Sequence, residues 1–515
     1  MSHHENTPGN PSLWIGIHLP QLPLETVLRG APSPEAWTVA ENDRILLADR
    51  KAQARGVRAG MLTTAALALA PQLRIRERDA AAETESLLGI AAWAAQFTPS
   101  VALEFPDALL LEVSGSLMLF GGLEKIIAAL NKGLAELGFT ATLGRAPTAR
   151  AASWLARSAT PLPAGKQAGP DKTITTPEAL QAAIASLPVS LLRGKADLPE
   201  ALATLGIDTL GELLSLPRDG LARRFGQGLL DQLDQANGDL ADPRLFFTLP
   251  PRFHAGIELP AEVTQAEALL FAGKRLLSQL AGFLAARSGG AQRFVFRLSH
   301  REGRSTEIAI GLVAASRDGD HFAMLLRERL GKLVLQEPVR SIALQADDIQ
   351  PLAGANRSLL PDDKAATAAG EWPQLIERLR ARLGTQAVQA ISVAPEHRPE
   401  NASCAGEING KPGTRQKAAQ RQGDKQRSDR QLGFSFGERP FWLLDAPRPL
   451  TEKDAVPLHE DGPLTLLAGP ERIESGWWDG ADVKRDYFIA RTPREALVWV
   501  YRERQAGWYL HGIFS

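Results

Sequence analysis

One cysteine, Cys404, occurs in 515 residues. This excludes an internal disulfide and any thiolate-based zinc cluster, and a reducing cytoplasm is the expected compartment. Long apolar runs are missing as well. None approaches the roughly 20 residues that span a bilayer, and the polar start MSHHENTPGN does not fit a secretory signal. No charge sign dominates: the formal net charge is -1, so nucleic-acid binding has to come from local patches. No Walker-type glycine-rich loop is present, which counts against a nucleotide-binding regulatory protein. What is present is the composition of a globular chain, with 44% hydrophobic and 23% charged residues. Its length implies several domains, since single cores rarely grow past about 250 to 300 residues.

The stretch Glu104–Gly122, EFPDALLLEVSGSLMLFGG, is the reference point for the rest. Ala108–Leu111 is too short for a helix and is bracketed by Pro106 and Ser114-Gly115. The pattern predicts a hairpin whose second strand is Leu117–Phe120, with Asp107 and Glu112 at its lip. Before it, Leu13–Leu19 is a short apolar strand stopped by Pro20 and Pro23, and Trp37–Ala40 and Arg44–Ala48 read as two more strands. Asp49–Arg55 and Ala80–Ala95 read as helices. After it, Leu123–Leu137 is a helix, Thr140–Leu143 a strand and Thr148–Arg157 a helix. Strands and helices therefore alternate around one sheet.

From Pro188 the texture changes to short amphipathic helices separated by glycines, Gly206 and Gly226 among them. Helix-hairpin-helix units, whose backbone amides can meet phosphates without reading bases, have this texture; so does an ordinary small helical packing unit. Pro251–Gln350 reads as strand, helix, two strands, helix, strand, with Arg293, Arg297, Arg301, Arg304 and Arg317 on one hairpin and its flank. These arginines are either a backbone-tracking basic face or a solvated strand face. His397–Arg430 is polar and reads as a disordered linker. The last segment holds Trp442, Trp477, Trp478, Trp499 and Trp508, half of the ten tryptophans, which argues for a small β module packed on its own.

The order of parts, together with ARGVRAGM at Ala54–Met61 and GRAPTARAA at Gly144–Ala152, resembles the Y-family DNA polymerases over about Leu13–Leu352. The resemblance implies an α+β multidomain chain. Its expected parts are a disordered stretch 1–12, palm and fingers 13–187, a helix-hairpin-helix thumb 188–250 and a DNA-binding little finger 251–352. A largely disordered linker 353–438 and a partner-binding module 439–515 complete it. The tail stretches RPFWLLDAPRPL, GPERIESGWWDG and WVYRERQAGWYLHGIFS have no counterpart in active members and resemble a polymerase-like component of bacterial SOS mutagenesis cassettes.

Polymerases of this family hold two Mg²⁺ ions on clustered carboxylates. At the matching positions this chain has His18, Pro20 and the pair Asp107-Ala108, so one carboxylate survives. The triphosphate-contacting tyrosine and arginine match Arg50 and Gln53, and the lysine of the later helix matches Ala149. The expectation is no catalytic residue, no metal and no cofactor. An active low-rate enzyme with substitute ligands is the alternative, and a mononuclear site of His18, Asp107 and Glu112 is a further one. QLGFSF in the linker resembles the motif by which bacterial polymerases hold the β sliding clamp, with Gln431, Leu432, Phe434 and Phe436 as contacts; an edge strand of the tail is the other reading. The resemblance further implies DNA, the clamp, an error-prone replicative-type polymerase and a RecA-like accessory protein as partners. It implies a cytoplasmic location, at the nucleoid during DNA damage.

Overall fold

The computed structural model describes residues 12–30, 33–159, 176–193, 198–352, 364–384, 387–394, 396–406, 439–478, 480, 482–503 and 507–514. The chain divides into two compact units, Met1–Arg382 and Leu383–Ser515.

The first unit opens with β1 (Trp14–His18), α1 (Leu22–Leu28), β2 (Trp37–Glu41), β3 (Arg44–Ala48), α2 (Arg50–Ala54), α3 (Thr63–Leu69), β4 (Arg74–Glu77) and α4 (Ala80–Ala94). It continues with β5 (Val101–Glu104), β6 (Ala108–Glu112), α5 (Leu117–Phe120), α6 (Leu123–Leu137), β7 (Thr142–Ala146) and α7 (Ala149–Ser158). The central sheet has the order β5-β6-β1-β7, and a smaller sheet β3-β2-β4 carries α2 and α3 at its edge. Alternation along β1 decides what each face of the central sheet meets. Ile15 and Ile17 are fully buried with Leu109, Leu111, Ile90, Ile126 and Leu130 under α4 and α6. The other face carries Gly16, and α7 lies so close over it that a Cβ there would sit 2.3 Å from the Ala152 carbonyl oxygen. His18 shares this second face, which is why α7 can reach it.

The expected second strand Leu117–Phe120 is instead one turn of helix, α5, preceded by a 3-10 turn at Ser114–Ser116. Leu117 and Phe120, three apart, turn toward the core while Met118 and Leu119 are exposed. Gly121 and Gly122, at φ +74° and +110°, then end the turn in a backbone region open mainly to glycine. The hairpin partner of β6 is β5, upstream, and the connection between them carries Asp107. The strand β4, which pairs in parallel with β2, is an element that the sequence pattern does not predict.

Five short helices follow: α8 (Pro177–Ala185), α9 (Leu198–Thr204), α10 (Leu210–Leu214), α11 (Arg218–Phe225) and α12 (Gln227–Asn237). Gly206 joins α9 to α10 and Gly226 joins α11 to α12, at φ +74° and +92°, with nothing within 4 Å of a Cβ added at either. Backbone handedness, not close packing, selects glycine at both.

Next come β8 (Phe253–Val263), α13 (Leu270–Ala286), β9 (Gly289–Ser299), β10 (Ser305–Ser316), α14 (Gly319–Leu330), β11 (Val339–Ala346) and β12 (Ile349–Pro351). They form a sheet β10-β9-β11-β8, with β12 also on β9. Its inner face packs Phe294, Phe296, Leu298, Ile342 and Leu344 against Leu276, Leu280, Phe283, Phe322 and Leu326 of the two helices. With its preceding turn, α13 has the length and apolar content of a membrane span; its buried Leu276, Leu277, Leu280 and Phe283 make it a core helix.

Within 353–438 the sequence reads Glu371–Leu383 as a helix, and the structure has one there that starts earlier. Lys364–Leu383 forms α15, and Ile376, Glu377 and Ala381 are buried. The register of β10 breaks after Gly311, and the Glu377 carboxylate accepts the Val313 N–H at 2.6 Å while pairing with buried His321. A side chain that reads as a surface charge in sequence thus satisfies a buried backbone donor.

In the second unit, β13 (Ala390–Val393) pairs with β14 (Ser403–Gly406). The strands β15 (Trp442–Lys453), β16 (Val456–His459), β17 (Gly462–Pro463), β18 (Thr465–Ser475), β19 (Val483–Arg491), β20 (Leu497–Glu503) and β21 (Gly507–Ile513) build one sheet of order β17-β16-β15-β21-β20-β19-β18. Only Trp499 and Trp508 of its tryptophans are buried. Trp442, Trp477 and Trp478 are exposed.

Candidate functional site

The end of the central sheet brings the first group of candidate residues together. Across β1, His18 pairs with Ala108 of β6 on one side and Thr142 of β7 on the other. Asp107, one residue before β6, is fixed through its backbone carbonyl, which accepts the Leu19 N–H at 2.9 Å. Its carboxylate lies 3.4 Å from His18 Nε2 and 2.8 Å from the Arg157 guanidinium, which arrives from the last turn of α7. Thr142 Oγ1 sits 3.4 Å from His18 Nδ1 and donates to the Ala156 carbonyl at 2.6 Å, tying the imidazole to the same helix. Ala108 is buried. Half-buried and flanked by two nitrogen bases, Asp107 is pulled two ways. Burial disfavours its charge, but the close approach of His18 and the Arg157 guanidinium outweighs this and holds the carboxyl at about 2, below its ordinary 3.8.

The sign of the resulting pH dependence follows from that depression. Asp107 contributes stability that is fully present above about pH 4 and is lost as pH falls toward 2, worth about 2 kcal/mol. Arg157→Ala is therefore expected to lower unfolding free energy by about 1–2 kcal/mol at pH 7, a deficit that shrinks toward zero as the pH approaches 2. Denaturant unfolding of both proteins across this range measures it, and a deficit independent of pH would contradict the pairing.

Glu112 lies at the far end of β6, opposite Trp14, where it accepts the Ser114 N–H at 3.0 Å and serves the following turn. The geometry therefore does not bring Glu112 to His18 and Asp107, and the mononuclear site of these three is corrected on that ground. Among the described residues no three His, Cys, Asp or Glu side chains converge. A metal at Asp107 would have to displace Arg157. In the small sheet's edge, Gln53 donates to the Ala48 carbonyl at 2.7 Å, Arg50 is exposed at the start of α2 and Ala149 is buried under the helices that follow α7.

Arg157 is the site residue that sequence reasoning misses. A second charge cluster forms around Glu104, at the end of β5. Buried Glu104 has Arg193 at 3.6 Å and Arg244 at 3.7 Å, and Asp242 pairs with Arg244 and lies 3.6 Å from Arg150. A signal does exist: Arg150 and Arg157 are seven apart on α7, two helical turns on one face.

The arginines of the second group separate. Arg293 and Arg297 share the exposed face of β9 and line a groove of about 530 Å³ with His254, Glu307, Gln345 and Asp347. Arg297 pairs with Glu307 at 2.9 Å, Arg301 with Glu262 at 2.7 Å and Arg304 with Glu337. The face thus carries its own counter-charges. Gly206 and Gly226 stand at helix junctions, as described. Gln431, Leu432, Phe434 and Phe436 lie outside the described residues.

The model of the impB/mucB/samB family (IMS) matches residues 28–157. Protein ImuB of Caulobacter vibrioides is 29% identical over 479 residues, covering 89% of this chain and 100% of its own length. DNA polymerase IV of Yersinia pseudotuberculosis is 32% identical over 202 residues, 39% of this chain and 55% of that protein. Among solved structures, DinB from Sulfolobus solfataricus aligns with 66% of this chain and 100% of its own, at 17% identity and a TM-score of 0.35.

Proposed function

Taking as premise an ImuB-like chain with a Y-family polymerase domain, which points to DNA damage tolerance, we propose that the protein is a non-catalytic scaffold for SOS-induced, error-prone translesion synthesis. One observation carries the inactive reading. Asp107, the carboxylate left among the positions matched to the family's metal ligands, is occupied by the Arg157 guanidinium at 2.8 Å, with His18 and buried Ala108 beside it. A guanidinium supplies positive charge without the open coordination positions that two-metal phosphoryl transfer requires. The alternative, a slow polymerase with substitute ligands, has to recruit a metal against that cation. Primer extension decides between them.

In this reading the polymerase-like body touches DNA through the glycine junctions at Gly206 and Gly226 and through Arg293, Arg297, Arg301 and Arg304. Gln431, Leu432, Phe434 and Phe436 dock the β sliding clamp. The C-terminal module recruits an error-prone replicative-type polymerase and the RecA-like accessory protein ImuA. The protein works in the cytoplasm, at the nucleoid during DNA damage, without cofactor or metal. Neutralising Arg293 and Arg297 is expected to weaken DNA binding uniformly across sequences and to reduce the salt slope by about one for each phosphate left without its arginine. Arg293 has the larger effect, because Arg297 already spends part of its charge on Glu307. Anisotropy titrations over a salt series measure this, and an unchanged slope would remove the β9 face from the DNA-binding surface.

A further inference from the structure

His397–Arg430 reads as linker by composition, yet its first residues pack on the C-terminal sheet. The strands β13 and β14 form a hairpin, and its tip, 394–402, is closed by the Ala394 N–H donating to the Ala402 carbonyl at 2.9 Å. Two carboxylates of the tip, four residues apart, meet the seven-stranded sheet. Glu396 accepts from Ser475 Oγ of β18 at 3.0 Å. Glu400 holds the Arg485 guanidinium of β19 at 2.9 Å and lies 3.8 Å from His511 Nε2 of β21. Between them Arg398 and Pro399 are buried. Arg398 donates to Glu396 at 2.8 Å and sits 5.9 Å over the Trp478 ring.

The groups beneath explain why the sheet needs this cover. Tyr487 stacks on Trp499 with ring centres 4.0 Å apart, its hydroxyl shares a 2.8 Å hydrogen bond with His511 Nδ1, and Arg485 reaches over Tyr501 at 4.8 Å. Tyr487, Trp499, Tyr501 and His511 are all buried. Among the described residues after Leu383 there is no α-helix to cover them; the hairpin tip lies there instead. Apart from Glu400, the carboxylate near Arg485 is Glu503, at 4.0 Å. Withdrawing the tip would leave a mostly buried guanidinium without its close partner, a strongly destabilising state.

We infer that 394–402 is a strap of the C-terminal module, and that 407–438 is a loop with both ends on that module. One end is Gly406, paired with Ala390. The other is Arg439, which donates to Glu471 and lies 4.9 Å over the Trp499 ring. The stretch linking the two units is then 384–389. One consequence rests on the clamp reading: Gln431–Phe436 is carried by the module that recruits the polymerase, so a single unit holds both partners. The strap itself does not depend on that reading.

Cutting the full chain tests it without the clamp. With a specific protease site inserted after Ala419, the cut protein is expected to elute from gel filtration as one species containing both fragments. Glu396→Ala with Glu400→Ala is expected to let the fragments separate. Fragments that part in the unsubstituted background would overturn the strap. So would fragments that stay together in the double variant, because other contacts would then be holding them. Should that variant unfold the module, hydrogen exchange of the uncut, unsubstituted chain decides. An isolated hairpin is marginal in water, so docking is expected to slow the Ala394 and Ala402 amides at least about 100-fold relative to an unstructured chain. Exchange at the unprotected rate would overturn the proposal.

Discussion

Primer extension with this protein is expected to yield no templated incorporation with Mg²⁺ or with Mn²⁺, at least about 10³-fold below an active polymerase, because metal ions contribute several kcal/mol to phosphoryl transfer. Charge matters here as much as ligand count. Two divalent cations need several hard oxygens in one place, and the candidate centre offers the two oxygens of Asp107. One faces Arg157 at 2.8 Å and the other faces His18 at 3.4 Å. A metal would therefore replace an intramolecular cation that costs no binding entropy. His18→Asp alone is expected to leave the centre metal-free, because Arg157 still compensates the added charge. Combined with Arg157→Ala, it leaves two facing carboxylates and is expected to take up Mn²⁺, read by electron paramagnetic resonance. Incorporation by the unsubstituted protein that disappears with Asp107→Ala would sink the scaffold reading in favour of a slow enzyme.

How much of this is legible in the sequence depends on whether the signal is local. Leu123–Leu137 and the strands near Trp14, Trp37 and Arg44 are readable because apolar periodicity and flanking turn residues agree there. Leu117–Phe120 is misread because four apolar residues fit a strand or a helical turn equally, and Gly121 with Gly122 decides it. The strand β4, Arg74-Ile75-Arg76-Glu77, carries almost no apolar signal and exists by pairing in parallel with β2. The same distinction governs the site. His18 and Asp107 can be set side by side only through a resemblance, since 89 positions of chain separate 18 from 107. Arg157, which completes the pair, is brought in by a helix crossing at Gly16 and Gly144. Glu377 shows the limit most clearly: nothing in a charged helical stretch tells that one carboxylate caps a broken strand 64 residues earlier.

The second large effect is expected at the clamp. Gln431→Ala together with Leu432→Ala should abolish binding to the β sliding clamp, a loss of about 10³-fold if each is an anchor worth about 2 kcal/mol. The proposed reading assigns the Gln431 amide to hydrogen bonding at a first subsite and Leu432, Phe434 and Phe436 to an apolar pocket, a mode in which a short motif needs few residues ordered. The competing reading makes the same residues an edge strand of the C-terminal sheet, and the structure gives that reading a measurable consequence. The module is anchored from Arg439 onward, where the guanidinium donates to Glu471 at 2.6 Å and Pro440 packs on Gly512. If 431–436 extended that sheet, the double substitution would lower its melting temperature along with clamp affinity. Lost affinity at unchanged melting supports the tethered motif. Unchanged affinity refutes it, and loss of both assigns the segment to the sheet. A chain ending near Arg439 separates the two proposed functions further: if the C-terminal module recruits the polymerase, that chain is expected to keep the clamp and to lose the candidate polymerase on co-purification.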